Sequence, residues 1–143
     1  MKKKINKSLV TVILASGKGS RLKNDIPKQY LQINKKTLLE HSIDKFLSLG
    51  FIDLLIIVVN KEHNNYYKQI KLKYKNIKFI LGSNTRQKSS FNALRYLQRF
   101  SFRYVMIHDA ARPFLSIKLI ISLYKKILKF NSAVVPVIKA QDS

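Results

Sequence analysis

The sequence contains no cysteine. Disulfide bonds, metal sites built on thiolates and redox chemistry on sulfur are therefore excluded. The absence is compatible with a reducing compartment, and we expect the protein to be cytoplasmic. Long apolar runs are missing as well: none approaches the roughly 20 residues that span a bilayer, so no transmembrane segment is expected.

Acidic residues are scarce. Seven Asp and Glu stand against 28 Lys and Arg, which gives a formal net charge of +21. Such a charge suggests nucleic acid or an anionic membrane as a partner. The lysines are scattered, however, and most Tyr and Phe fall at positions predicted to face a core. We therefore expect a solvated, lysine-rich surface and neither of those partners, and keep a basic nucleic-acid-binding module as the alternative.

The start of the chain resembles a signal peptide, because lysines at positions 2–4 precede the apolar run 9–15. That run is at the short limit for a signal peptide. It is followed at 16–21 by a glycine-containing polar loop rather than by a cleavage site. A first core strand explains the run better.

The chain of 143 residues, 46% of them hydrophobic, can form one domain with a buried core. Apolar runs rich in β-branched residues predict strands at 9–15, 54–59, 77–81, 104–107 and 133–138. Amphipathic stretches between them predict helices at 37–49, 62–74, 86–100 and 116–130. This alternation predicts an α/β domain with a mostly parallel sheet and helices on both faces.

The helix at 37–49 has signals at both ends. Thr37 with Glu40 three residues later has the form of a capping box. Gly50 stands where a left-handed C-terminal cap is expected.

Open parallel sheets bind ligands at the carboxyl ends of their strands, where the strand order reverses. The loop after the first predicted strand carries Gly17 and Gly19, whose backbone could approach an anion, together with Lys18 and Arg21. It matches neither the dinucleotide fingerprint, since residue 22 is Leu22, nor a Walker A loop. A phosphate-binding loop and a simple glycine-rich turn both stay open.

A second segment follows shortly after the glycines. Pro27 fixes the local backbone, so Lys28 is held on a constrained segment. Its spacing allows it to face the same phosphates as Arg21. A single Lys in so basic a chain would otherwise be interpreted as a surface residue.

A third loop, 108–113, follows the strand predicted at 104–107. Asp109 is a candidate Mg²⁺ ligand, because Mg²⁺ takes one or two carboxylates together with phosphate oxygens. It could equally pair with Arg112 or cap the next helix. His108 is interpreted as a structural, hydrogen-bonded group.

The segment 82–90 opens the helix predicted at 86–100. Small polar residues at a helix start can bind a nucleotide or simply cap the helix. Capping is the safer interpretation for Asn84 and Thr85.

Five segments, taken together, resemble one enzyme family in their order and spacing along nearly the whole chain. That family is the 2-C-methyl-D-erythritol 4-phosphate cytidylyltransferases of the non-mevalonate isoprenoid pathway. The segments are 15–21 (Ala-Ser-Gly-Lys-Gly-Ser-Arg), 27–30 (Pro-Lys-Gln-Tyr), 39–42 (Leu-Glu-His-Ser), 85–89 (Thr-Arg-Gln-Lys-Ser) and 108–113 (His-Asp-Ala-Ala-Arg-Pro). The resemblance implies a Rossmann-like, three-layer α/β/α nucleotidyltransferase fold.

The resemblance also implies that the cytidylyl group of CTP passes to 2-C-methyl-D-erythritol 4-phosphate and that pyrophosphate leaves. It assigns Arg21 and Lys28 to catalysis and Asp109 to Mg²⁺. The implied CTP-binding residues are Ala15, Ser16, Gly17, Lys18, Gly19, Gly82, Ser89 and Arg112. Two fixed cations and a metal suit this reaction, because negative charge grows on the phosphate oxygens during in-line transfer.

The chain departs from the family pattern in two places. Ser16 stands where the family more usually has alanine, and 138–143 follows the pattern only loosely. The resemblance further implies a longer, homodimeric enzyme whose dimer arm and acceptor-binding residues lie beyond residue 143. We therefore expect residues 1–143 to form a CTP-binding domain that is incomplete at its C-terminus and turns over poorly alone.

Other interpretations stay open on the sequence. A ribitol-5-phosphate cytidylyltransferase shares the glycine loop and the Asp-Ala-Ala-Arg-Pro segment. An inactive gene remnant, or an enzyme fused to the downstream cyclodiphosphate synthase, would carry the same residues here.

Overall fold

The computed structural model of the chain describes residues 7–18 and 26–137. They fall into two compact units, Met1–Pro113 and Phe114–Ser143. The strands described in the first unit are β1 Lys7–Ala15, β2 Gln32–Ile33, β3 Lys36–Thr37, β4 Leu54–Val59, β5 Lys78–Leu81 and β6 Phe102–Asp109. Its helices are α1 Leu38–Leu47, α2 Asn64–Lys73 and α3 Arg86–Leu97, with short 3₁₀ turns at Lys28–Tyr30 and Lys61–His63. The second unit contains α4, Ile117–Phe130.

Four strands form one sheet in the order β5-β4-β1-β6, and each neighbouring pair is parallel. The parallel sheet and four of the five predicted strands are therefore confirmed. The chain first moves outward from β1 to β4 and β5, and then returns to place β6 on the other side of β1. The strand order thus reverses at β1, which is where a ligand site is expected in an open sheet.

Helices cover both faces of this sheet, as predicted. Val12 of β1 and Val58 of β4 belong to one buried cluster with Ala93 and Leu97 of α3. Side chains alternate between the two faces along a strand, so odd-numbered positions of β1 face the opposite side. On that side two aromatic pairs connect the sheet to the other two helices: Phe46 of α1 contacts His108, and Tyr67 of α2 contacts Phe79.

Helix α1 begins with the predicted capping box. The Thr37 hydroxyl accepts a hydrogen bond from the Glu40 amide (3.1 Å), and the Glu40 carboxylate accepts one from the Thr37 amide (2.9 Å). The prediction for Gly50 is wrong. Ser48 is the C-cap with right-handed backbone angles, and Gly50 does not lie in the left-handed region. The Ser48 amide bonds back to Asp44, so the helix ends without a left-handed residue.

The prediction of a strand at 133–138 is wrong over residues 133–137, which are the part of it that the structure describes. Residues 131–137 have no regular secondary structure, and Val135 and Val137 are 75% and 87% exposed. An apolar, β-branched run forms a strand only where a neighbouring strand accepts its backbone hydrogen bonds. In the second unit, the described residues provide α4 and no such strand.

A two-stranded hairpin between the 3₁₀ turn at Lys28–Tyr30 and α1 was not predicted from the sequence. Strands β2 and β3 pair antiparallel across Asn34 and Lys35, whose φ angles are 50° and 63°. Two positive φ angles are typical of a type I′ turn, which usually carries glycine. The absence of glycine here removed the usual signal.

No helix in the described ranges is both long and apolar enough to cross a membrane.

Two carboxylates of α1 take part in a polar network. The Lys73 ammonium lies 2.8 Å from a Glu40 oxygen, and Lys36 and the Tyr74 hydroxyl bind Asp44 at 2.6 and 2.7 Å. Burial raises the pKa of Glu40, but hydrogen bonds from Lys73 and Thr37 outweigh it, so that pKa lies below the ordinary 4.5. Burial likewise raises the pKa of Asp44, and the bonds from Lys36 and Tyr74 bring the net pKa below the ordinary 3.8.

Glu40→Gln is expected to cost about 0.2–1 kcal/mol of unfolding free energy at pH 7, and less near pH 3. Glutamine keeps the capping box, so the variant removes only the charge. A lowered folded-state pKa contributes stability above the unfolded pKa, and this contribution disappears as pH falls through the folded pKa. Urea unfolding of both proteins at each pH measures the difference. A cost that stays the same at pH 3 would contradict the electrostatic explanation. The losses in Glu40→Gln and Lys73→Met should be less than additive, because the two side chains share one ion pair.

Candidate functional site

The loops after β1 and β6 lie side by side. Leu14 of β1 is in register with Asp109 of β6, and the Ala110 amide donates to the Leu14 carbonyl at 3.0 Å. The first loop begins at Ser16, directly after the last residue of β1. Asp109 therefore stands beside the start of the glycine loop, at the edge where the strand order reverses.

A buried glutamine joins the second segment to the first loop. Gln29 is 4% exposed, and its side-chain amide donates to the carbonyls of Ala15 (2.8 Å) and Gly17 (2.9 Å). One carbonyl belongs to the last residue of β1 and the other to the second residue after it, so one side chain sets the path of the loop where it leaves the strand. No role was predicted for Gln29, because nothing in the local sequence distinguishes it from a surface glutamine.

Lys28 projects from this anchored turn. Pro27 is buried with φ −59°, and its carbonyl accepts a hydrogen bond from the Tyr30 amide at 2.8 Å. Tyr30 is buried and stacks on Tyr66 with ring centroids 5.1 Å apart. Lys28 itself is exposed. The structure thus places the Lys28 side chain in solvent on a fixed backbone next to the first loop.

Two of the predicted residues, Gly19 and Arg21, lie outside the described residues. Lys18 is described, and its ammonium lies 3.3 Å from Glu62, with both side chains more than half exposed. Gly17 has a φ outside the left-handed region, and a Cβ built on it would meet nothing within 4 Å. The described residues therefore do not require glycine at position 17, and its role in CTP binding stays a prediction.

Gly82 and Ser89 both contact Ser16 at the start of the first loop. The hydroxyls of Ser16 and Ser89 are 2.8 Å apart, and both residues are buried. A Cβ on Gly82 would lie 2.6 Å from the Ser16 Cβ and 2.8 Å from the Ser89 hydroxyl. The residue after β5 must therefore be glycine for the two loops to approach this closely. The roles of Gly82 and Ser89 in CTP binding stay predictions.

Helix α3 starts with a cap. The Thr85 hydroxyl accepts a hydrogen bond from the Lys88 amide at 3.1 Å, which confirms the capping interpretation for Thr85. The Asn84 side chain is exposed, and the N-cap position belongs to Thr85. The capping interpretation is therefore confirmed for Thr85 and wrong for Asn84.

Asp109 is held by two arginines. Arg86 at the start of α3 donates its Nε–H to one carboxylate oxygen at 2.9 Å, and the Nε of Arg112 lies 3.6 Å from the other. Pairing with Arg112 was one of the open alternatives, and it is present. The part played by Arg86 was missed, because the two residues are 23 positions apart in sequence and on different elements.

The donor set around Asp109 limits the kind of metal site that can form. Within the described ranges, no group of three or more His, Asp or Glu side chains could hold a metal ion by itself. One carboxylate is nevertheless enough for Mg²⁺ when phosphate oxygens provide the other ligands. Asp109 therefore fits a nucleotide-bound Mg²⁺, provided that a guanidinium group moves off one carboxylate oxygen.

His108 packs against the core side of the sheet. It is 9% exposed, and its ring meets that of Phe46 edge-on at a centroid distance of 5.1 Å. Burial lowers the pKa of His108. A neutral, buried ring agrees with the structural interpretation.

Residues 9–143 match the family described as IspD: 2-C-methyl-D-erythritol 4-phosphate cytidylyltransferase. The chain belongs to this family. The bifunctional enzyme IspD/IspF of Pelagibacter ubique is 42% identical over 132 residues, which are 92% of this chain and 35% of that protein. The 2-C-methyl-D-erythritol 4-phosphate cytidylyltransferase of Thermosipho melanesiensis is 45% identical over 132 residues, covering 90% of this chain and 58% of that protein.

A solved structure agrees with this assignment. The 4-diphosphocytidyl-2C-methyl-D-erythritol synthase of Anaerococcus prevotii is 30% identical, with a TM-score of 0.71 over 86% of this chain and 52% of that chain. The predicted α/β nucleotidyltransferase fold is confirmed. The chain spans 35% and 58% of the length of the two curated cytidylyltransferase relatives.

Proposed function

We propose that the chain forms the CTP-binding part of a 2-C-methyl-D-erythritol 4-phosphate cytidylyltransferase. The observation that carries the proposal is the meeting of three segments at the reversal point of the sheet, in a chain of this family. These segments are the glycine loop, the anchored turn with Lys28, and Asp109 at the end of β6. Each stands where the family resemblance places a part of the nucleotide site.

In the proposed reaction, a phosphate oxygen of 2-C-methyl-D-erythritol 4-phosphate attacks the α-phosphorus of CTP. A new P–O bond forms, the bond to the bridging oxygen breaks, and pyrophosphate leaves with the electron pair. No general base is needed, because the attacking phosphate is already an anion. Rate enhancement therefore depends on positioning and on positive charge near the reacting phosphates.

Two cations of this chain fit that task. Lys28 is exposed on a turn that Gln29 ties to the glycine loop, so the backbone that carries its side chain is fixed beside that loop. We assign to Lys28, together with Arg21, the stabilisation of charge on the equatorial and leaving oxygens. Lys18 and Arg112 add positive charge near the nucleotide, along with the backbone of the loop.

Asp109 is proposed to hold Mg²⁺ together with phosphate oxygens of CTP. Bound there, the metal would neutralise charge on the triphosphate. Two guanidinium groups lie within 4 Å of the same carboxylate. We propose that Arg86 or Arg112 turns away from Asp109 when Mg·CTP binds, which frees one oxygen for the metal and one cation for the phosphates.

The remaining features of the proposal follow the family. We propose a cytoplasmic homodimer that acts on CTP and a sugar-alcohol phosphate and requires neither nucleic acid nor a membrane. The basic surface suits these substrates, since both carry phosphate groups. Ribitol 5-phosphate is the competing acceptor, and the names of the relatives favour methylerythritol phosphate.

Pyrophosphate release by the intact gene product tests the proposal. CTP and Mg²⁺ are supplied with either 2-C-methyl-D-erythritol 4-phosphate or ribitol 5-phosphate. We expect release with the first acceptor and none with the second. Release with ribitol phosphate alone would replace the proposed acceptor, and release with neither would leave a folded, inactive member of the family.

A further inference from the structure

A buried pair of serine hydroxyls joins two loops of the candidate site. Ser16 is the first residue after β1. Its hydroxyl is buried and lies 2.8 Å from that of Ser89 on α3. The two residues are 73 positions apart in sequence, so this contact joins the glycine loop directly to the loop and helix that follow β5.

The hydrogen bonds around Ser89 can be counted. Its Oγ accepts from the Ser83 amide at 2.9 Å and lies 3.2 Å from the Ser83 carbonyl, to which it donates. A serine hydroxyl has one proton and two lone pairs. With its proton on Ser83, the Ser89 hydroxyl can only accept from Ser16. Ser16 is therefore the donor in the Ser16–Ser89 contact. With this assignment, all three contacts of the Ser89 hydroxyl are hydrogen bonds.

We propose that the Ser16 hydroxyl is a positioning group that locks the glycine loop to the 82–89 segment. The donated proton fills the last lone pair of Ser89, so this hydroxyl has no free site for a ligand. The Gly82 amide is also engaged, since it donates to the Val59 carbonyl at 2.8 Å. Ser89 and Gly82 therefore shape the site instead of bonding the nucleotide through these groups.

The lock has a consequence for CTP, which rests on the proposed function. In the proposed site, the triphosphate lies on the glycine loop and the cytidine half reaches the 82–89 segment. Binding one nucleotide across both segments requires that they stay at a fixed separation. Gly82 allows these two segments to approach closely, and the hydrogen bond donated by Ser16 holds them together. Losing the lock should weaken CTP binding, although the backbone N–H groups of the glycine loop, which face the phosphates in the proposed site, are all kept.

Ser16→Ala tests the lock. We expect the Ser83 amide to exchange its hydrogen about three- to tenfold faster in this variant, and the Kd for CTP to rise by a similar factor. Ser90→Ala is the matched control. Its hydroxyl lies one residue further along α3 and bonds to the Arg86 carbonyl of its own helix at 3.0 Å, so neither quantity should change.

A double-mutant cycle separates positioning from general loss of structure. Because Ser16 and Ser89 share one hydrogen bond, the double alanine variant should weaken CTP binding no more than Ser89→Ala alone. Additive losses, or unchanged exchange at Ser83 in Ser16→Ala, would overturn the positioning role. If the unmodified chain binds no CTP, the proposed function fails, whereas exchange at Ser83 still decides whether Ser16 holds the loops together.

Discussion

Lys28→Met is expected to lower the rate of pyrophosphate release by the intact gene product by about 10²- to 10³-fold. The substitution keeps the length and the apolar stem of the side chain and removes its charge. That charge is held on the Pro27-anchored turn beside the glycine loop, where negative charge would grow during transfer. Because the interaction is made mainly in the transition state, kcat should fall while the Kd for CTP changes little.

The control for this experiment is Lys68→Met. Lys68 is an exposed residue of α2, and its substitution removes the same charge from the same kind of side chain. Activity of this variant should match that of the unmodified protein. A less than tenfold effect of Lys28→Met, or a loss seen equally in Kd, would show that Lys28 is a surface lysine or a binding residue and is not catalytic.

Gly82→Ala is expected to lower the unfolding free energy by about 1–3 kcal/mol and to weaken CTP binding more than Ser16→Ala does. The new methyl group would stand 2.6 Å from the Ser16 Cβ, an atom fixed to the backbone that no rotamer change can move. The glycine loop and the 82–89 segment must then move apart. Urea unfolding and CTP titration measure the two effects.

Gly50→Ala provides the comparison for Gly82→Ala. A Cβ at Gly50 meets nothing within 4 Å, and φ there is outside the left-handed region. Stability and CTP binding should stay the same or improve slightly, since alanine restricts the unfolded chain. Adding Ser16→Gly to Gly82→Ala should recover part of the lost stability. Equal losses in Gly50→Ala and Gly82→Ala would contradict the steric explanation.

The placement of the candidate site was predictable because it depends on topology. A β-to-α alternation with apolar runs predicts a parallel sheet, and the loops at the carboxyl ends of its strands must lie along one edge. The glycine loop and Asp109 accordingly lie next to each other. The predicted strand at 133–138, which is not formed over residues 133–137, illustrates the limit of such patterns, since β-branched residues cannot supply the neighbouring strand that a sheet requires.

The sequence by itself determined the family, the alternation of strands and helices, the capping box of α1 and the candidate residues of the nucleotide site. These features are local patterns or follow from family resemblance. Only the tertiary structure decided which side chains meet: Gln29 with the Ala15 and Gly17 carbonyls, Arg86 with Asp109, and Ser16 with Ser89. These partners are 12 to 73 residues apart. Their contacts depend on strand order and on the packing of α3, which no local pattern of residues specifies.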